Sequence, residues 1–239
     1  TTMPSSTRQT YGHLRNWSAR LGLSYEHRFG RTVLTDMSFE GPLRVQRAFY
    51  PEDDVCHTYI LHPPGGMVSG DELAINLRQR PSTHVLATTP SAGKIYCADA
   101  EGVCQKQQIT AEVTDGILEW LPQETIVFDG ARANLSTRFD LYGDSKLITW
   151  EIVGLGRQAG QLPFQHGSLA QNVSIAIDDT PCLIEGFVLD ESLRLMDTAL
   201  GLMGKPYFGT MYFVKAGAES IVTLLRAALQ AEKSPHVLA

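Results

Sequence analysis

Short apolar runs recur along this chain at intervals of about ten residues, separated by clusters of Gly, Pro, Asn and Asp, which is the rhythm of strands and turns. Leu21, Leu23 and Tyr25 alternate with polar or small neighbours, Phe29-Gly30 marks a turn, and the β-branched stretch Thr32 to Phe39 returns, so a hairpin opens the domain. Leu43 to Phe49 and Val55 to Leu61 follow across the turn-forming Pro51-Glu52-Asp53-Asp54. Further strands are predicted at Leu73 to Leu77, His84 to Thr89, Gln107 to Val113, Ile117 to Leu121, Leu135 to Leu141, Leu147 to Val153, Val173 to Ile177, Cys182 to Leu189 and Tyr207 to Val214. Asp115-Gly116, Asp129-Gly130, Gly143-Asp144 and Asp178-Asp179 punctuate them. No strict internal repeat is visible, which argues against a solenoid of fixed sequence period. Helical periodicity is confined to Leu193 to Met203 and to Glu219 to Glu232, where Ile221, Leu224, Leu225, Ala228 and Leu229 form an apolar stripe. Residues 1–17, rich in Thr, Ser and Arg, read as a mobile lead-in, leaving 18–239 as one β-rich domain.

Charge narrows the partners. A net charge of -6 argues against wrapping nucleic acid or lying on an anionic membrane, both of which need clustered cations. No run approaches the roughly 18 apolar residues that a membrane helix requires. Cys56, Cys97, Cys104 and Cys182 are widely spaced, with no Cys-x-x-Cys, and no basic stretch followed by an apolar core begins the chain. Reduced thiols in a cytoplasm are the expectation.

The densest concentration of backbone-shaping and ionisable residues is His62-Pro63-Pro64-Gly65-Gly66-Met67-Val68-Ser69-Gly70-Asp71. The prolines fix φ and remove two amide donors, and the glycines admit positive φ; this is either a plain turn or a shaped functional loop. Cys56, His57 and His62 do not chelate one ion from a regular strand, because His57 points away from the other two and these lie about 20 Å apart. No Gly-x-Ser-x-Gly elbow and no phosphate-binding Gly-x-x-x-x-Gly-Lys-Ser/Thr occurs. Lys94 with Tyr96 is read as a surface pair before an active-site pair.

Three carboxylates stand among apolar strand residues: Glu119 between Ile117 and Leu121, Glu151 with Leu147 and Val153, and Glu185 between Leu183 and Phe187. A buried unpaired carboxylate costs several kcal/mol, so each needs a cation, a hydrogen-bonding partner or a hydrated passage. The alternative is a half-buried face on which each pairs with Arg or Lys of the next strand. Asp71, leaving the Pro-Gly loop, is a fourth candidate. A β-sandwich hydrolase or lyase using Asp71 with His62 or Glu151 as acid and base is the competing class, and turnover by the isolated chain would distinguish it.

The loop stands in a fixed order with Thr89-Pro90-Ser91-Ala92-Gly93-Lys94-Ile95-Tyr96, with Leu118 to Ala131 (containing Leu121-Pro122-Gln123-Glu124-Thr125 and Phe128-Asp129-Gly130-Ala131), and with Trp150-Glu151-Ile152-Val153-Gly154-Leu155-Gly156-Arg157. Together with Gly41 to Arg47, Phe49-Tyr50-Pro51 and Phe164 to Leu169, these blocks resemble the UreD (UreH) family of urease accessory proteins, from roughly residue 20 to 215. The resemblance implies a mainly β fold, a β-helix-like stack of short strands with two α-helices, the second near the C-terminus. It also implies a non-enzymatic nickel metallochaperone scaffold in the cytoplasm that binds the urease apoprotein and UreF, with UreG joining through UreF. Nickel would be transient cargo, with no stably bound cofactor. An internal passage for the ion would be lined by Asp71, Glu151 and Glu185, with Glu119 added on pattern alone. Hard carboxylates suit transient handling of a hydrated divalent ion. Tyr207, Phe208, Tyr212 and Phe213 form an aromatic cluster expected to be a partner surface, which predicts poor solubility of the chain alone. At Gly93 this sequence departs from the family, which more often has Ser or Thr there. The family's Arg-Pro closing segment has no counterpart before Ala239, so a trimmed or incomplete chain is expected.

Overall fold

The computed structural model describes residues 17–190 and 192–215, with 223, 226 and 227. In chain order the strands are β1 (Ser18–Arg28), β2 (Arg31–Glu40), β3 (Arg44–Val45), β4 (Cys56–Leu61), β5 (Glu72–Gln79), β6 (His84–Thr88), β7 (Gly93–Ile95) and β8 (Gln105–Thr114). There follow β9 (Ile117–Trp120), β10 (Thr125–Val127), β11 (Arg132–Tyr142), β12 (Lys146–Leu155), β13 (Ser168–Ile177), β14 (Thr180–Leu189) and β15 (Tyr207–Val214). The mainly β expectation holds.

Two sheets face each other. The first runs β14-β13-β11-β8-β5-β1-β2, and the second β3-β4-β6-β9-β12 with β15 beyond β12. From β4 to β13 the chain winds as a solenoid: each turn contributes to the second sheet, crosses over, and lays a parallel strand on the first. Glu72 pairs with Lys106, Gln105 with Ala133 and Arg132 with Ser168, so successive turns are 34, 28 and 36 residues long. That irregularity is why no sequence period is visible. Antiparallel hairpins finish both edges of the first sheet, β1 with β2 and β13 with β14.

Strand alternation builds the core. In β11 the buried Ala133, Leu135, Thr137, Phe139 and Leu141 face inward and their neighbours face out. β1 contributes Leu21, Leu23 and Tyr25 in the same way, and the Tyr25 hydroxyl reaches across the sheets to Thr58 Oγ1 at 3.1 Å.

The second sheet is split lengthwise by a seam. β6 and β7 are one run interrupted at residues 89–92, and β9 and β10 one run interrupted at residues 121–124. Trp120 pairs with Thr149 and Thr125 with Val153, so this second interruption lies level with Trp150–Ile152 of the continuous β12. The Pro-Gly loop stacks at the same level, because Tyr59 pairs with Thr88 and Met67 bridges Ile95. The Pro-Gly loop and the blocks that contain residues 89–92, 121–124 and 150–152 are thus successive layers of one seam. Cross-layer hydrogen bonds join them: Thr88 Oγ1 to the Leu121 carbonyl, Gly93 N–H to the Glu124 carbonyl, and Trp150 Nε1 to the Pro122 carbonyl.

Some expected elements differ. Leu193 to Met203 forms only one helical turn, α1 (Arg194–Asp197), followed by turns; Leu202 N–H bonds the Leu195 carbonyl and folds the segment back. Leu43 to Phe49 yields only the two-residue β3 and a bridge from Phe49 to His57. The predicted helix at Glu219 to Glu232 lies outside the described residues apart from Thr223, Arg226 and Ala227, which are helical. Residues 1–16 of the lead-in also lie outside them; Trp17 is described, and its carbonyl accepts from Glu72 N–H.

Candidate functional site in the sheet interior

Two cavities lie between the sheets behind the seam. The one at the first turns has a volume of about 160 Å³ and is lined by His62, Pro63, Gly66 and Lys94 with apolar neighbours. The second, about 80 Å³, reaches Glu151, Thr137 and Gln171 in the last turn. They share Ile75, Thr89, Gly93, Gln107 and Thr125, so a continuous lining runs along the solenoid axis.

Glu151 is the carboxylate on this lining. It lies on the inward parity of β12 with the buried Leu147, Thr149 and Val153, and is partly buried. The Thr137 hydroxyl from β11 and the Gln171 amide from β13 both donate to it, so one glutamate of the second sheet ties two strands of the first. Burial pushes its carboxyl pKa up from the ordinary value, and the two donors hold it back. No cation forms an ion pair with it among the described residues. Sequence reading found Glu151 but missed Thr137 and Gln171, because neutral polar residues on alternating strands resemble solvent-facing ones.

The other candidates lie elsewhere. Glu185 shares the inward parity of β14 but is exposed at the sheet edge, where its Oε2 accepts from the Tyr212 hydroxyl at 2.7 Å. Glu119 faces outward, opposite the buried Leu118 and Trp120, and pairs with His84 Nε2 at 2.7 Å. Asp71 is buried, and its Oδ2 accepts from Val68 N–H at 2.8 Å, closing the turn in which Asp71 N–H bonds the Val68 carbonyl. His62 lines the larger cavity; burial lowers its pKa, and the nearby Asp71 charge opposes that shift. Of the two acid and base pairs considered for Asp71, its charge lies near His62, whereas Glu151 lines the smaller cavity and Asp71 lines neither. Cys56 is buried in the core, whereas His57 lies 3.4 Å from Glu52. Among the described residues no group of three or more His, Cys, Asp and Glu is placed to hold a metal ion, and no helix is long and apolar enough to cross a membrane.

The expected aromatic surface is divided by the alternation of β15. Tyr212 pairs with Thr149 and Phe208 with Val153 on the inward side, where the Phe208 ring meets Phe187 at 4.9 Å. Tyr207 and Phe213 take the outward parity, and a Cβ on Gly154 would overlap the Tyr207 ring.

Two remaining sequence blocks receive a structural account. Asp129 Oδ1 accepts from the backbone N–H of both Gln165 and His166 at 2.7 Å, and Gly130 N–H bonds the His166 carbonyl. Burial would raise the Asp129 pKa, but these donors and the His166 ring hold it low. Gly167, at φ 113°, passes so close to the Ala131 carbonyl that a side chain would overlap it. Phe-Asp-Gly-Ala and His-Gly therefore lock adjacent crossovers together.

Sequence comparison identifies relatives of this chain. The family model described as UreD urease accessory protein matches residues 18–239. The Chromohalobacter salexigens protein named urease accessory protein UreD is 43% identical over 230 residues, covering 92% of this chain and 74% of its own. Its namesake in Klebsiella pneumoniae is 41% identical over 197 residues, covering 82% and 70%, and that of Marinobacter nauticus 42% over 224, covering 90% and 75%. With the family model spanning the whole described fold, this chain belongs to the UreD family of urease accessory proteins.

Proposed function

We propose that the chain is a urease maturation factor: a scaffold without catalysis of its own that binds the urease apoprotein and UreF, with UreG joining through UreF, and supports nickel insertion in the cytoplasm. Nickel passes along the interior between the sheets as transient cargo. The observation that carries this reading is Glu151, a carboxylate on the cavity lining whose partners are the neutral Thr137 and Gln171. Such a site bears charge at a cost, and a cation relieves that cost. One carboxylate whose companions are a neutral hydroxyl and a neutral amide also binds weakly enough to release a hydrated divalent ion. Trp120 Nε1 and Thr149 Oγ1 are buried without a partner among the described residues, which suits a hydrated interior. Glu185 stands beyond Glu151 at the sheet edge and His62 at the opposite end. Asp71 and Glu119 serve the loop and the outer face through Val68 and His84.

The test is Glu151→Leu, co-expressed with urease and the other accessory proteins. The complex should assemble, while nickel per urease, measured by inductively coupled plasma mass spectrometry, falls several-fold. Normal loading by an assembled Leu variant rejects the passage.

A further inference from the structure

The end of the interior beyond Glu151 is closed by two strands from different sheets. β14 is the last strand of the first sheet and β15 runs along the free edge of β12 in the second. Two contacts bridge them: the Tyr212 hydroxyl on Glu185 Oε2 at 2.7 Å, and the Phe187 ring on Phe208 at 4.9 Å. Register places both beside the Glu151 cluster. Phe187 pairs with Gln171, which donates to Glu151, and Thr210, two residues before Tyr212, pairs with Glu151. The smaller cavity is lined by Glu151 and Gln171 but not by Glu185 or Tyr212, so the bridge stands next to the cavity through its register neighbours and not on its lining.

Resting on the passage reading, we infer that Tyr212 is a positioning residue that latches this end of the passage: its hydroxyl holds Glu185 across the edge, and a divalent cation taken up by the Glu185 carboxylate displaces the phenol and opens the way to Glu151. The phenol occupies one oxygen of Glu185, and a cation chelated by both oxygens takes that one as well, so bidentate cation binding and latching compete. The phenol keeps its proton throughout.

The experiment uses the full chain with Cys97→Ser, Cys104→Ser and Cys182→Ser, and Thr137→Cys as reporter on the cavity lining, labelled by the small cationic reagent methanethiosulfonate ethylammonium. Labelling should be slow with Tyr212 present, about tenfold faster in Tyr212→Phe, and faster again in Tyr212→Ala. Nickel(II) chloride should accelerate labelling in the Tyr212 parent. In Glu185→Gln, which keeps an acceptor for the phenol but loses the charge, labelling should stay slow and nickel should have no effect. A side chain that merely packs would be replaced fully by Phe. Equal rates for Tyr212→Phe and its parent, or no nickel response in the parent, overturn the latch. Nickel content of co-expressed urease separates this from the wider reading. If Glu151→Leu blocks loading while Tyr212→Phe labels at the parent rate, the passage survives and the latch is rejected. If labelling follows the latch while Glu151→Leu loads urease normally, the latch stands and the passage falls.

Discussion

At the first turns of the solenoid, Asp71 is buried and accepts a backbone N–H from Val68, closing the turn that carries it. In the last turn, Glu151 sits on a cavity and is met by side chains that two other strands bring to it. Both are carboxylates flanked by apolar strands. The first shapes the chain locally; the second is held in place by tertiary packing and keeps its charge turned toward open space. A carboxylate near a cavity is therefore a candidate for handling cations only when its hydrogen bonds are not already committed to the backbone around it.

The first region should be the more fragile. A methyl on Gly66 would overlap the Tyr96 ring and crowd Lys94, so Gly66→Ala should destabilise the fold by about 1–3 kcal/mol in urea denaturation. An unperturbed midpoint would show that the Pro-Gly loop floats free of β7. Asp71→Ala orphans the Val68 N–H and should cost about 1–2 kcal/mol, whereas Asp71→Asn, which keeps the acceptor, should recover most of it. If Asn instead lowers nickel loading of urease as much as Glu151→Leu does, the contrast between the two carboxylates collapses.

At the second region the effect reverses sign. Because the folded Glu151 pKa lies above the ordinary 4.5, the native state binds more protons than the unfolded chain between those two values. Stability contributed by this site thus falls as pH rises through that window, and the full cost remains above it. Glu151→Gln should be more stable than the parent at pH 7, by on the order of 1 kcal/mol, with the difference vanishing below the unfolded-state pKa. Thermal melts across pH 3.5 to 8 measure this, and a variant less stable at every pH would mean that the carboxylate is a net structural tie. The smallest effect belongs to Gly93, where an added Cβ would meet Thr125 Oγ1 at an ordinary 3.4 Å. Gly93→Ser should change stability by less than about 0.5 kcal/mol while narrowing the lining shared by both cavities. A loss above 1 kcal/mol would show that this position needs glycine for the backbone.

By itself the sequence determined the strands, because inward and outward positions alternate over runs as long as β8, β11 and β13. It also determined the tight turns, since Asp178 and Asp179 in the β13–β14 hairpin and Asp115 at the crossover from β8 to β9 take the positive φ that such residues tolerate. The family blocks were legible too, although their reason was not: the Pro-Gly loop and the blocks that contain residues 89–92, 121–124 and 150–152 are the layers of a seam whose register arises only when unequal turns stack. The three-residue β7 and β10 escaped because so short a run carries no periodicity, and α1 stops after one turn because the chain folds back through Leu202 and Leu195. Which way a glutamate points was decided by tertiary structure alone. β9 is apolar on both parities, so Glu119 could face either way until Leu118 and Trp120 took the core. The partners of Glu151 and Glu185 come from strands 14 to 27 residues away, a distance at which local pattern says nothing and only the closing of two sheets brings the side chains together.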